Sequence, residues 1–130
     1  MPNRNLLLDT CALLWLASGS KDITEGTLQK ISRAEIVYIS AISAWEISLK
    51  VSQKKLILPK EPKEWLETAI ESHNLFLIPL DIDILIEANK LPWHHRDPAD
   101  RFIITTAIRE NAIIVTADKK FQDYDVKVLI

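Results

Sequence analysis

Residues 5–17, Asn5-Leu6-Leu7-Leu8-Asp9-Thr10-Cys11-Ala12-Leu13-Leu14-Trp15-Leu16-Ala17, form an apolar run interrupted by one carboxylate. Asn5–Leu8 is short and almost wholly apolar, the pattern of a strand buried on both faces. Thr10–Ala17 reads as a helix, with Leu13, Leu14 and Trp15 supplying apolar mass. A strand that passes directly into a helix is the start of an α/β unit. Asp9 stands at the junction, where a charge is costly unless something uses it.

The alternation repeats along the chain. Thr24 is placed to cap a helix running to Arg33, after a break at Ser18-Gly19-Ser20. Glu35–Ser40 is rich in β-formers and reads as the second strand. Ser43 suits the N-cap of a helix from Ala44 to about Lys54, which puts Glu46 at the capping-box position. Leu56–Pro62 holds two prolines and reads as a connection. A helix follows from Pro62 or Lys63. Leu75–Leu80 is the third strand, with Pro79 at its end or on an edge. Ile82–Asn89 reads as a short helix and Leu91–Arg96 as a loop. Asp97-Pro98 opens a helix to about Asn111, with proline in the first turn, where its missing N–H costs nothing. Ala112–Thr116 is the fourth strand and Lys127–Ile130 a fifth, at an edge. The expected fold is α/β, a mostly parallel sheet between helices, in one domain spanning 1–130.

Composition narrows the function classes. The chain has 130 residues, 48% hydrophobic and 26% charged, enough for one core and too apolar for a disordered chain. Two glycines argue against a turn-dense all-β protein. No apolar run reaches the about 18–20 residues of a membrane span, so no membrane partner is expected. The N-terminal segment loosely imitates a signal peptide, but Asp9 and Thr10 interrupt its apolar part, and it is read as mature sequence. Cys11 is the only cysteine, which excludes an intrachain disulfide and a Cys-rich zinc site and fits a cytoplasmic protein. The net charge of −2 predicts no strong non-specific grip on nucleic acid.

The acids carry the functional signal. Asp9 follows the first strand, Glu46 opens the helix after the second, and Asp118 follows the fourth. In a parallel sheet these positions share the carboxyl edge, where ligands bind. Asp97 and Asp100 open the helix before the fourth strand, and pattern alone places them less securely. Any one of them has an ordinary structural role available as a cap or a partner of a helix dipole. Jointly that ordinary reading weakens, because two carboxylates about 5 Å apart repel by roughly 3 kcal/mol at an effective dielectric of about 20. Converging acids take up protons or hold a cation. An all-oxygen set favours Mg²⁺ or Mn²⁺ over Zn²⁺. The reading from residues alone is a metal-dependent phosphodiesterase or phosphotransfer site.

Residues 6–16 (LLLDTCALLWL), 43–50 (SAWEISLK), 94–107 (HHRDPADRFIITTA) and 113–121 (IIVTADKKF) resemble, in order and spacing, the motifs of PIN-domain ribonucleases, and most closely the VapC-type toxins of type II toxin–antitoxin pairs. The resemblance spans essentially the whole chain. It implies a five-stranded parallel sheet and a Mg²⁺ site, Mn²⁺ being possible, at Asp9, Glu46, Asp100 and Asp118, which activates water for cleavage of RNA. Asp97, Thr10 and Thr116 would orient those carboxylates or the metal's waters. A transfer or ribosomal RNA substrate, a cognate antitoxin and a homodimer are implied as partners. Two positions depart from the pattern. Cys11 stands where relatives often have His and is expected to pack inward. Lys54 replaces a helix-stopping Gly, so that helix is expected to end differently.

Lys50, four residues after Glu46, is either its ion-pair partner or a cation for the scissile phosphate. Arg96 and Arg101 flank the acidic pair and are expected to form a basic rim for an RNA backbone, while Lys119 and Lys120 fit ordinary solvated lysines equally well. Adjacent His94 and His95 point opposite ways in an extended loop, cannot chelate one ion well, and are expected to anchor the loop. Trp15 and Trp93 are candidates for dimer or antitoxin contact, and Trp45 should face away from Glu46. The alternatives from the sequence are another metal-dependent phosphohydrolase, a DNA-directed nuclease, or a non-catalytic phospho-receiver module using Asp81 or Asp83. A dehalogenase-like phosphatase needs a second Asp two residues after the first, where Cys11 stands.

Overall fold

A computed structural model describes residues 5–124 and the backbone of 128 and 129. The element order is β1(Asn5–Leu8), α1(Thr10–Ser18), α2(Glu25–Arg33), β2(Ile36–Ser40), α3(Ala41–Ser52), α4(Pro62–Ser72), β3(Leu75–Ile78), α5(Ile82–Glu87), α6(Pro98–Glu110), β4(Ile113–Val115) and β5(Val128–Leu129). The five strands form one sheet in the order β3-β2-β1-β4-β5. Every pairing is parallel. Lys127 and Ile130, the expected ends of the last strand, lie outside the described residues.

β1 is the middle strand, and its alternation divides the core. Leu6 and Leu8 pack with Val37 and Ile39 against α1, α2 and α4 on one face. Leu7 packs with Tyr38 and Ile114 against α6 on the other. Burial on both faces is why the strand reads as a continuous apolar run. α6 carries Ile103, Ile104, Thr106 and Ala107 into this second core. Its threonines make burial tolerable by donating to carbonyls one turn back, Thr105 to Arg101 at 2.9 Å and Thr106 to Phe102 at 2.7 Å.

Two helix ends differ from expectation. α3 begins at Ala41, capped by Ser40, whose hydroxyl accepts from the Ile42 N–H at 3.1 Å. Strand and helix abut without a linker, so Ser43 does not cap. It is fully buried, its hydroxyl 2.9 Å from that of Thr10. Glu46 therefore lies in the second turn of α3, not at a capping-box position.

The second difference is at Lys54. The amide of Lys55 donates to the Lys50 carbonyl at 2.9 Å and that of Lys54 to Val51 at 3.1 Å. This is a Schellman ending, which needs a left-handed residue. Lys54 supplies it with φ 60°. The helix thus ends as it would with glycine, and the lysine takes the strain. A left-handed non-glycine residue costs about 1–2 kcal/mol, and glycine's extra unfolded-state freedom returns about 0.5–1 of that. Lys54→Gly is expected to raise stability in urea unfolding by about 0.5 kcal/mol, and Lys54→Val to lower it by about 1. Equal stability of Lys54→Gly and the parent would contradict the strain assignment.

Candidate active site

The strand order reverses at β1, which has β2 on one side and β4 on the other. The crevice beyond the carboxyl ends of β1 and β4 is the topological switch point, where open α/β sheets place ligands. Asp9 and Asp118 flank it. The amide of Asp9 donates to the Val115 carbonyl at 3.1 Å, extending the β1–β4 ladder up to the acid. Asp9 is only 6% exposed, and its Oδ1 accepts from the Ala12 N–H at 2.8 Å as the cap of α1. It is both a cap and a member of the cluster, so the two readings of this acid do not exclude each other.

Asp9 is joined to Asp118 through Thr116. The buried Thr116 hydroxyl hydrogen-bonds Asp9 and accepts from the Asp118 amide at 3.0 Å. Thr10 plays the matching part on the other side, donating to Glu46 Oε1 and meeting Ser43. α6 is the crossover that returns the chain to the start of β4. It runs against the strands and so begins at their carboxyl edge. Asp97 caps it, accepting from the Ala99 N–H at 2.9 Å, and Asp100 lies in its first turn.

Burial and mutual repulsion act on the cluster together. Asp9 is held above the usual carboxylate range by burial and by Asp118, against the Thr116 and Ala12 hydrogen bonds and Lys50. Glu46 is raised by burial, and by Asp97 and Asp9, against Thr10 and Lys50. Asp100 is raised to about 6 by burial, and by Asp97 and Glu46, against its bond to His95. The five acids thus form one electrostatic group. Among the described residues, no lysine or arginine comes within ion-pair distance of it. Lys50 is half-buried and acts on Asp9 and Glu46 from farther away.

His95 belongs to the cluster, which the sequence reading missed. Its Nε2 is hydrogen-bonded to Asp100 Oδ2 at 2.7 Å and lies 4.0 Å from Asp118 Oδ2. Nε2 and one oxygen of each acid lie within 4.8 Å of one another. His94 turns the other way and packs edge-on against Tyr124, with ring centroids 5.3 Å apart. The opposed directions of the pair were legible; which histidine faced the acids was not.

Arg101 is a correction. It does not line a basic rim, being 2% exposed. Its Nη1 donates to the carbonyls of Pro92 and His95 at 3.0 Å, and its Nη2 to those of Ala88 and Leu91 at 2.7 and 2.9 Å. Trp93 lies over the guanidinium at 3.6 Å. The loop before α6 needs its inward carbonyls satisfied, and arginine supplies the donors. Arg96, Lys119 and Lys120 are exposed. Cys11 also departs from expectation. It is exposed beside the acids, and partial desolvation of its sulfur, with the charges of Asp9, Glu46 and Asp100, holds the thiol up and protonated. Trp45 does face solvent, over a groove lined by Leu66, Ile70 and Leu77.

Because Asp100 titrates near 6 folded and near 3.8 otherwise, the folded chain binds that proton more tightly. Its contribution to stability is complete below about pH 4 and is lost as pH rises through about 6. In chelator, Asp100→Asn is expected to raise the thermal midpoint at pH 7 by about 3 °C, equivalent to roughly 1 kcal/mol after screening at a partly exposed group. The gain should shrink at pH 4. An equal gain at both pH values would contradict charge repulsion as its cause.

Comparison with known proteins follows the same outline. The PIN domain family pattern matches residues 6–127. Ribonuclease VapC22 of Mycobacterium tuberculosis is 26% identical over 120 residues, covering 92% of this chain and 91% of that protein. A chain of FitAcB from Neisseria gonorrhoeae superposes with a TM-score of 0.64 at 25% identity, covering 96% of each. A chain of VapBC2 from Rickettsia felis, bound to a DNA fragment from their promoter, superposes at 0.72 and 19% identity, covering 96% of this chain and 97% of that one. The parallel sheet, the acids gathered at its switch point and a family match over nearly the whole length lead to one conclusion: this chain belongs to the PIN domain family.

Proposed function

We propose that the chain is a divalent-metal-dependent endoribonuclease, the toxin of a toxin–antitoxin pair. The observation that carries this reading is the convergence of Asp9, Glu46, Asp97, Asp100 and Asp118 on one switch-point crevice with, among the described residues, no lysine or arginine at ion-pair distance. A relative 26% identical is a ribonuclease by name.

The residues present fit a divalent cation. Three of the acids are pushed toward protonation by burial and by one another, and a cation relieves both costs at once. Oxygen donors dominate the set, which favours Mg²⁺ or Mn²⁺ over Zn²⁺. Asp9, Glu46, Asp100 and Asp118 would hold the ion, which supplies a water of lowered pKa and a positive charge opposite the phosphoryl oxygens. Thr116 orients Asp9 and fixes the amide of Asp118. Thr10 orients Glu46. Asp97 anchors the α6 N-terminus and so sets the position of Asp100. Lys50 and the exposed Arg96 supply positive charge for the RNA phosphates.

The substrate class is RNA, a transfer or ribosomal RNA being the proposed target. A cognate antitoxin and a second copy of the chain are the proposed partners, and the proposed compartment is the cytoplasm. Among the described residues no helix is long and apolar enough to cross a membrane. Of the two acceptors the receiver reading offered, Asp81 is already engaged. Asp81 caps α5 through the Ile84 N–H, and its Oδ2 accepts from Arg109 Nη1 at 2.6 Å.

Incubated with total RNA, the protein is expected to yield discrete fragments in Mg²⁺ or Mn²⁺ and none in EDTA. Asp9→Asn and Glu46→Gln should each lower the rate by at least about 100-fold, the scale of removing a group that stabilises transition-state charge. Undiminished cleavage by a folded Asp9→Asn protein would overturn the mechanism. Preferential cutting of single- or double-stranded DNA would favour the DNA-directed alternative.

A further inference from the structure

His95 is built into its position. Its amide donates to the Tyr124 hydroxyl at 2.8 Å. Its carbonyl accepts from Arg101 Nη1 at 3.0 Å and from the Tyr124 hydroxyl at 3.3 Å. Its ring meets Phe121 edge-on, with centroids 6.3 Å apart, and Phe121 is itself fully buried. Arg101 and Tyr124 are tied together, Nη1 to hydroxyl at 3.3 Å, and Tyr124 is buried. A histidine that only anchored a loop would need its backbone bonds alone. Here the backbone is clamped and the ring is aimed at two acids that come from different elements, Asp100 of α6 and Asp118 beyond β4. Its side chain is 12% exposed.

The distances suit shared coordination. Donors bound at about 2.1 Å to one octahedral ion lie about 3 Å apart when adjacent and about 4.2 Å apart when opposite. Nε2 lies 2.7 Å from Asp100 Oδ2 and 4.0 Å from Asp118 Oδ2. All three atoms lie within 4.8 Å of one another. A ligating imidazole would be the neutral tautomer with its proton on Nδ1, leaving the Nε2 lone pair for the ion.

We propose that His95 is a direct ligand, through Nε2, of a divalent ion shared with Asp100 and Asp118, so that this site selects first-row transition ions over Mg²⁺. This rests on the metal-dependent reading above and deepens it. Magnesium prefers oxygen and gains little from an imidazole, whereas affinity for nitrogen donors rises from Mn²⁺ through Fe²⁺ and Co²⁺ to Ni²⁺. The nitrogen therefore alters the ranking of metals, which a carboxylate set alone would leave closer to even. Arg101 and Tyr124 are positioning residues for it.

The test is calorimetric titration of the purified protein with Mg²⁺, Mn²⁺ and Co²⁺, for the parent, His95→Ala and His95→Gln, each first checked for folding by circular dichroism. Glutamine keeps an N–H for Asp100 but offers no imidazole nitrogen. The expected result is a fall of at least about 10-fold in the preference for Co²⁺ over Mg²⁺ in both variants, with Mn²⁺ between them. A preference retained in His95→Gln means that the histidine only orients Asp100, and overturns the proposal. So does a parallel weakening of all three metals in both variants. Either result, with RNA cleavage still metal-dependent, leaves the nuclease reading standing. Failure of the parent to bind any of the three ions overturns the metal-dependent reading itself, and this proposal with it.

Discussion

β1 is paired on both edges and covered on both faces, and the rest of the site follows from where such a strand must stop. Its four residues fill the middle of the sheet, and the next residue, Asp9, emerges at the crevice where strand order reverses. A carboxylate there has little water. It is kept by the Ala12 amide and the Thr116 hydroxyl, and it still lies above its ordinary range because burial outweighs both. The fold delivers further acids to the same edge by three routes. The end of β2 runs straight into α3 and brings Glu46. The crossover helix α6 starts at the edge and brings Asp97 and Asp100. The end of β4 brings Asp118.

The cluster is therefore a place where the fold opposes its own electrostatics. Hydrogen bonds from Thr10, Thr116 and His95 and the more distant charge of Lys50 lessen the repulsion without cancelling it. Stability given up at one end of the sheet is the ordinary condition of a site poised for a charged ligand. The surrounding structure is arranged to tolerate it. Both faces of the sheet are filled, and the loop before α6 is held by the buried Arg101 and its carbonyl partners instead of being left to move. The arginine's function is indirect: it holds the backbone that presents His95.

Much of this was legible in the residues. The apolar quartet at β1, the β-rich run at β2 and the capped Asp97-Pro98 helix gave the strand–helix alternation. Asp9, Glu46 and Asp118 were placed at the carboxyl edge by position alone. What escaped was side-chain direction. Arg101 has the charge of a rim residue, yet helical position puts it on the inward face of α6 with Ile104 and Thr105, where only the loop's carbonyls explain an arginine. Cys11 has the character of a core residue but lies on the outward side of α1's first turn. His95 could be told from His94 only through contacts with Tyr124 and Phe121, which are 29 and 26 residues away in sequence. The α3 boundary slipped by three residues because Ser43 was read as the cap, whereas the strand continues directly into helix and its last residue, Ser40, takes that role.

The most direct test of the central claim, that these acids are held together for a divalent cation, is thermal unfolding at pH 7 across a titration of Mg²⁺ or Mn²⁺. A ligand that binds the folded chain alone raises the midpoint with concentration. The account predicts a saturable rise of several degrees that is abolished in Asp9→Asn and fades as pH falls through about 6, where Asp100 takes up its proton. A midpoint unmoved by either ion at millimolar concentration, in a protein that unfolds cooperatively, would contradict it.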